Sequence, residues 1–199
     1  MLNLDKYHMN KLFTILSIAV FTSGSALAAN DQSNFYVGLD YVHSNFPEIP
    51  SASKKDGSGY AIQLGYQLPS SSSWTNAFEV EYINLGTAKY NFDDTALGIK
   101  GSGELELTAI NLSYKPRFYL GRFFIGGQVG YANLSASGKA SYTVNGNTTS
   151  SNLADKVDSG FTFGGELGML ITDQLSIKGG YRVIESDTNT LFAGLAFNF

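Results

Sequence analysis

His43 and Ser44 are the adjacent residues best suited to catalysis, because a histidine near a serine is the start of an acyl-transfer site. The residues before them alternate as in a β-strand, where successive side chains point to opposite faces. His43 therefore cannot readily activate Ser44. The chain also lacks a G-x-S-x-G nucleophile elbow and contains no cysteine. We interpret His43 as a surface imidazole.

Two acidic pairs have the residue types of a divalent-cation site, since hard cations prefer carboxylate oxygens. Asp93 and Asp94 are adjacent, and Asp155 and Asp158 are three residues apart. Both pairs fall in stretches that are predicted as loops, so solvated loop charge is the simpler interpretation and a bound cation is the alternative. We assign no catalytic, cofactor-binding or metal-binding residue from the sequence.

The elements around these residues show alternation of apolar and polar positions, which predicts β-strands. The last segment is the clearest, with Leu191, Ala193, Leu195, Phe197 and Phe199 at every second position. Similar alternation predicts eight strands, at residues 34–44, 59–68, 75–85, 104–119, 122–134, 160–171, 174–185 and 190–199.

The fourth predicted strand contains an irregularity. Leu105 and Leu107 fall on the face that otherwise carries polar residues. We expect either a bulge near Thr108 and Ala109 or a strand that begins there.

The connections between the strands alternate in length. Those at 46–57, 86–103 and 135–159 are long, those at 69–74, 119–122 and 171–174 are short, and the last, at 185–188, is tight. Bacterial outer-membrane barrels have short periplasmic turns and longer outside loops. The predicted fold class is therefore all-β, a transmembrane antiparallel eight-stranded up-and-down β-barrel.

The first residues predict export. Lys11 precedes an apolar run at 12–21, and Ala26 and Ala28 form a small-residue cleavage site. The run is shorter than the roughly 20 residues that span a membrane as a helix. We expect a cleaved signal peptide at 1–28 and a barrel domain at 29–199. Translation from Met1 and translation from Met9 both remain open.

Composition excludes one class of partner. The formal net charge of −4 gives no basic surface for nucleic acid. The absence of cysteine leaves no disulfide framework and no thiolate metal site, despite the predicted export.

Charged residues of the strands share the face that would line the barrel. They are Asp40, Glu79, Glu81, Lys115, Arg117, Glu166, Lys178 and Arg182. Eight strands leave an interior just wide enough for side chains to fill, and isolated buried charges are costly. We therefore predict a salt-bridged polar plug, with a narrow ion pathway as the alternative. The predicted pairing sets Glu79, Glu81 and Glu166 against Lys115, Lys178 and Arg182. Inward glycines would relieve crowding, admit bends or leave a small water-filled cavity.

Residues 135–159 are rich in Ser, Asn, Thr and Gly, with alternation at Ala140, Tyr142 and Val144. This pattern predicts a hairpin that extends above the membrane and turns at Asn145 and Gly146. Its edge could add a strand to a partner, and a polar shield is the equal alternative.

The alternating strands and the Phe199 terminus resemble the small eight-stranded outer-membrane barrels, the OmpA transmembrane domain and OmpX-type family. The resemblance implies a Gram-negative outer-membrane protein that contacts membrane lipid and lipopolysaccharide. It also implies that the barrel-assembly machinery recognises Leu195, Phe197 and Phe199. Family members are structural, adhesive, defence-related or weakly pore-forming.

We therefore expect a non-enzymatic structural and surface-interaction protein, with a host or phage ligand at the outer loops. A low-conductance porin-like channel is the alternative, and a lipid A-modifying enzyme that uses His43 is the third hypothesis.

Overall fold

A closed antiparallel barrel forms the protein. The computed structural model describes residues 34–46, 56–70, 72–94, 99–144, 147–184 and 188–199. Its strands are β1 (Phe35–Asn45), β2 (Asp56–Gln67), β3 (Trp74–Asp94), β4 (Ile99–Leu120), β5 (Phe123–Val144), β6 (Asn147–Leu170), β7 (Leu175–Ile184) and β8 (Thr188–Asn198). Each pairs with the next in sequence, and β1 also pairs with β8. The predicted fold class is confirmed.

The predicted signal peptide and both start positions lie outside the described residues. In the part of the chain that the structure describes, no helix is long and apolar enough to cross a membrane.

Alternation of residue type gives the barrel two different surfaces. Large apolar side chains such as Leu39, Leu112, Phe163 and Leu195 are exposed on the outside of the barrel. Their polar and small neighbours point inwards, so a single sheet has an apolar outer surface and a largely polar interior. This is the arrangement that lipid requires, because closure leaves no unpaired strand edge in the hydrocarbon.

Strand length divides the barrel into two halves. β3, β4, β5 and β6 contain 21 to 24 residues, whereas β1, β2, β7 and β8 contain 10 to 12. A tilted strand crosses a bilayer in about 9–11 residues, so the four long strands continue well beyond the membrane. We call this continuation the protruding sheet; it comprises residues 87–94, 99–106, 135–144 and 147–159.

The prediction of long loops at 86–103 and 135–159 is therefore wrong, since most residues of both stretches belong to β-strands. Small and polar residues such as Ser, Thr and Gly suggested loops, but strand pairing continues through them. The hairpin predicted at 135–159 is confirmed up to the pair Val144 and Asn147. Its proposed turn at residues 145–146 lies outside the described residues.

The bulge expected near Thr108 and Ala109 is on the neighbouring strand instead. The register between β3 and β4 shifts between Asn84 and Gly86. Gly86 has a φ of 98°, which favours glycine, and its N–H donates to Asn84 Oδ1 at 2.9 Å. Leu105 and Leu107 do not interrupt β4; they face inwards against an apolar cluster.

Candidate functional site

The interior of the barrel brings all of the predicted lumen charges together. None of the eight residues is more than 5 % exposed. The inward parity of each strand positions them, and they form two groups of ion pairs across the lumen. Burial at this level is tolerated only when charges are paired and further hydrogen bonded.

The first group contains Glu79, Lys115, Arg117 and Glu166. Lys115 Nζ lies 2.6 Å from Glu79 Oε1 and 3.7 Å from Glu166 Oε2. Arg117 Nε donates to Glu166 Oε1 at 2.5 Å. Lys115 thus joins two carboxylates that belong to β3 and β6, on opposite sides of β4 and β5.

The second group contains Asp40, Glu81, Lys178 and Arg182. Arg182 Nη1 donates to Glu81 Oε2, and Lys178 Nζ lies 3.2 Å from Asp40 Oδ2. The prediction that Lys178 faces a glutamate is therefore corrected, because its carboxylate partner is Asp40 on β1. Lys178 lies opposite Gly194 of β8, which lies opposite Asp40 of β1, so the strand register brings the two charges to the same level of the lumen.

Gln63 is a functional residue that the charge pattern missed. Its Nε2 donates to Asp40 Oδ2 and, at 3.0 Å, to Glu81 Oε1, while its Oε1 accepts from Lys178 Nζ at 2.5 Å. A carboxamide carries both donors and an acceptor, so one neutral side chain serves acids and a base together. The inward parity of Gln63 was the available signal.

Aromatic side chains also contact the charged residues of the interior. Tyr36 donates its hydroxyl to Glu79 Oε2 at 2.8 Å. The Arg117 guanidinium lies 5.3 Å from the centre of the Tyr36 ring and 5.4 Å from that of Phe124. Arg182 lies 4.9 Å from the ring centre of Phe192. Cation–π contacts occur at these distances, and they further restrict the positions of the two guanidinium groups.

Glycines on the paired strands make room for these rings. Tyr36 lies opposite Gly65, Phe124 opposite Gly168, and Phe192 opposite Gly180. A Cβ at Gly65 would lie 2.1 Å from Tyr36 Cζ. At these positions the inward glycines relieve crowding, which was one of the three roles left open by the sequence.

An apolar layer lies directly beyond the second ion-pair group, towards the long-strand end. Val42, Ile83 and Ile184 each follow a charged member of that group by two residues along the strand. They are fully buried in one cluster with Leu85, Leu134 and other apolar side chains. The lumen therefore contains a polar layer and an apolar layer in series. The sequence predicted only the polar layer.

His43 and Ser44 point to opposite faces, as predicted. Ser44 is buried and shares a hydrogen bond of 3.4 Å with Thr190. His43 lies on the outer surface, with Nδ1 3.3 Å from Ser58 Oγ, which also accepts from the Tyr41 hydroxyl at 2.8 Å. Among the described residues, no carboxylate is bonded to His43.

The acidic pairs do not occupy loops. Asp93 and Asp94 end β3, and Asp155 and Asp158 belong to β6. Over the ranges that the structure describes, no group of three or more His, Asp or Glu side chains could hold a metal ion.

The proposed assembly residues lie at the end of β8. Leu195, Phe197 and Phe199 are exposed on the outside of the barrel. The rings of Phe197 and Phe199 meet edge to face, with centres 5.5 Å apart. The N–H of Phe199 donates to Phe35 O at 3.1 Å, so the end of the chain is tied to the first strand.

Comparison with known proteins identifies the family. The model of the outer membrane protein beta-barrel domain matches residues 13–199. The chain belongs to this family. The resemblance inferred from the strands is thereby confirmed, and so is the outer-membrane location. The short-turn end of the barrel is accordingly its periplasmic end, and the protruding sheet stands outside the cell.

Two solved barrels of this type have a similar fold. OprG of Pseudomonas aeruginosa matches with a TM-score of 0.54 at 8% identity, over 85% of this chain and 98% of that chain. Ail, the attachment invasion locus protein of Yersinia pestis, matches with a TM-score of 0.51 at 16% identity, over 84% of this chain and 100% of that chain. At such identities the likeness concerns the fold alone. No curated protein matches the sequence.

Proposed function

We propose that this outer-membrane protein is a closed barrel that holds a four-stranded sheet above the membrane, where a partner pairs with the edge of that sheet. The observation that carries the proposal is the difference in strand length. Strands β3 to β6 are each about ten residues longer than the other four strands. A protein that served only as a structural membrane anchor would not need these extra residues.

The protruding sheet has two edges. Within the described residues, the regular ladder on the outer side of β3 does not continue beyond Asn84, and that on the outer side of β6 does not begin before Thr162. Unpaired backbone groups in a strand bind an extended segment of another chain by strand addition. The β6 edge is the longer one and is the preferred site.

The outward face of the protruding sheet is polar, which favours recognition through the edge. Lys89 Nζ lies 2.8 Å from Glu104 Oε1, and Ser141 shares a hydrogen bond of 2.9 Å with Ser150. The hydrogen bond from Lys89 holds the pKa of the Glu104 carboxyl below its usual range. These exposed groups keep the face hydrated, so a partner is expected to bind the backbone edge and not the face.

The lumen supports a closed barrel rather than the alternative channel. An ion that entered the polar layer would have to displace paired charges such as Glu81 and Arg182. It would then have to lose its water in the apolar layer around Ile83 and Ile184. Burying an unpaired ion in apolar surroundings costs many kcal/mol.

The predicted export and assembly signals remain part of the proposal. Residues 1–28 would direct secretion, and Leu195, Phe197 and Phe199 would present the last strand to the barrel-assembly machinery. The exposure of these three side chains on β8 supports this role. The apolar outer surface of the barrel would contact membrane lipid and, in the outer leaflet, lipopolysaccharide.

A hairpin truncation tests the outer part of the β6 edge, residues 147–152. Gly138 pairs with Leu153, so an Asn-Gly turn can replace residues 139–152 without disturbing the barrel below. Bacteria that expose the wild-type protein should adhere to epithelial monolayers, and the truncated form should lose most of that adhesion while retaining heat-modifiable mobility on gels. The control is Lys89→Gln with Glu104→Gln, which alters the face and keeps the edge. Unchanged adhesion after truncation, or no adhesion by the wild type, would contradict the proposal.

A further inference from the structure

The β6 edge of the protruding sheet contains one regular, uncharged segment. From Asn147 to Leu153, each residue of β6 pairs with β5, so the backbone is extended and regular on that side. The sequence of this stretch, Asn-Thr-Thr-Ser-Ser-Asn-Leu, has no charged residue and no proline. Residues 148–152 are exposed, and the regular ladder between β6 and β7 begins only at Thr162. We call residues 147–153 the edge segment.

The edge segment lacks the features that keep strand edges apart. Natural proteins place lysines and other charges, prolines or bulges on exposed edges, because the open edges of identical chains otherwise pair with one another. The other edge of the protruding sheet has such charges at Lys89, Asp93 and Asp94. On β6, the register shifts only beyond the pair of Leu153 and Gly138, which ends the edge segment. The β3 edge is therefore protected against pairing, whereas the edge segment is not.

The orientation of the barrel decides which second copy can pair with this edge. In one membrane, two β6 edges that face each other cross at about 80°, twice the usual strand tilt of about 40°, so they cannot form a ladder. An antiparallel pair of identical strands has a two-fold axis perpendicular to its sheet. Because the protruding sheet continues the barrel wall, that axis lies in the membrane plane and inverts the second barrel. The second copy must therefore lie in a facing membrane.

The symmetry of such a pair fixes which side chains meet. Opposite residues of an antiparallel ladder point to the same face, so a two-fold axis at Ser150 aligns the whole edge segment with itself. This axis sets Ser150 against Ser150 of the second copy, Thr149 against Ser151, and Thr148 against Asn152. Hydroxyl and carboxamide groups both donate and accept hydrogen bonds, and cross-strand pairs of hydroxyl side chains are favourable. The edge segment is thus complementary to itself, with no like charges opposed.

We propose that the edge segment pairs antiparallel with the edge segment of a second copy of this chain in a facing outer membrane, and so tethers two cells. The inference rests on the open edge of the proposed function, but it requires no ligand on host cells. One pair of short segments binds weakly, whereas many pairs between two surfaces act together. Ser150 lies roughly ten residues above the bilayer, which at about 3.3 Å per residue and a tilt of about 40° sets the membranes about 50 Å apart.

Clustering of vesicles tests this self-pairing. The refolded barrel is reconstituted into phosphatidylcholine vesicles, and light scattering at physiological salt concentration follows the clustering. Wild-type vesicles should cluster, and cryo-electron microscopy should show contacts with the membrane spacing given by the strand length. Ser150→Lys places like charges directly opposite each other, so clustering should fall at least about fivefold. Ser150→Asp should have the same effect. A mixture of Ser150→Lys vesicles with Ser150→Asp vesicles should cluster again, because opposite charges then meet.

The matched control is Asn91→Lys on the β3 edge, which should leave clustering unchanged. Ser150 is exposed, so its variants should keep the heat-modifiable mobility of the wild type. Dispersed wild-type vesicles would overturn self-pairing, as would clustering that Ser150→Lys does not weaken or that the mixture does not restore. Loss of clustering in Asn91→Lys would also overturn it, by assigning the contact to the other edge. If wild-type vesicles stay dispersed while bacteria still adhere to epithelial monolayers through residues 147–152, self-pairing alone fails and the proposed function stands.

Discussion

Gln63 Oε1 accepts a hydrogen bond of 2.5 Å from Lys178 Nζ, across the lumen from β7 to β2. The same carboxamide donates to Asp40 and to Glu81, so it connects the Asp40–Lys178 pair with the Glu81–Arg182 pair. Three charged groups thereby share one neutral residue, and the fourth, Arg182, is joined to it through Glu81. Three of the hydrogen bonds that hold the second ion-pair group together involve Gln63, so the group depends on this residue.

Gln63→Leu should destabilise the barrel by about 3 kcal/mol, since it removes hydrogen bonds from three buried charged groups. The single tryptophan of the chain, Trp74, reports unfolding in urea by its fluorescence. Gln67→Leu on the same strand is the matched control, because its carboxamide has no hydrogen-bond partner among the described residues, and it should change the free energy of unfolding by less than about 0.5 kcal/mol. Equal effects of the two substitutions would show that Gln63 has no bridging role.

A double-mutant cycle tests the Glu81–Arg182 pair. Both side chains are fully buried, so Glu81→Gln and Arg182→Gln should each cost about 3–5 kcal/mol by leaving a charge without its partner. The double variant should cost much less than the sum, and urea unfolding gives the coupling energy. Additive losses would mean that the two groups do not interact in the folded barrel.

Gly168→Ala should destabilise the barrel by about 1–3 kcal/mol through overpacking. A Cβ at this position would lie 2.3 Å from Phe124 Cζ and 2.5 Å from the backbone oxygen of Ile177. Adding Phe124→Leu should recover part of the loss, since it removes the ring. Gly165→Ala is the matched control on the same strand, because its nearest neighbour, Gly126 O, lies 3.6 Å away. If the control variant were as unstable as Gly168→Ala, strand propensity rather than the ring would be the cause.

His43→Ala should leave the lipid A of the host membrane unchanged. His43 contacts Ser58 on the surface of the barrel, but in the described residues it has no carboxylate to orient it. Mass spectrometry of lipid A from cells that express wild type, His43→Ala or Ser58→Ala gives the comparison. A modification that is present in wild type and lost in both variants would establish the enzyme hypothesis instead.

The sequence predicted the features that depend on the two-residue period of a β-strand. Strand number, closure, the inward parity of charges such as Glu166 and Arg182, and the opposite faces of His43 and Ser44 all follow from alternation. The protruding sheet was mistaken for loops because Ser, Thr and Gly are common to both, and only the pairing of β3 to β6 distinguishes them. Leu105 and Leu107 suggested an irregular β4 because a wholly polar lumen was assumed.

Contacts across the lumen were less predictable, because they depend on strand register and not on parity. Nothing local indicates that Lys178 meets Asp40 and Gln63 rather than a glutamate. Likewise, the glycines opposite Tyr36, Phe124 and Phe192 can be recognised only after the strands are aligned.

Single-channel recording in a planar bilayer measures whether the lumen is closed. The refolded barrel, residues 29–199, is compared with its Lys178→Ala, Arg182→Ala double variant, and an added open porin shows that each membrane can report conductance. We expect the wild type to be silent, and the variant to be silent too, because the apolar layer around Ile83, Leu134 and Ile184 remains. Discrete conductance steps in the wild type that change in the variant would contradict it and make the charged lumen an ion pathway.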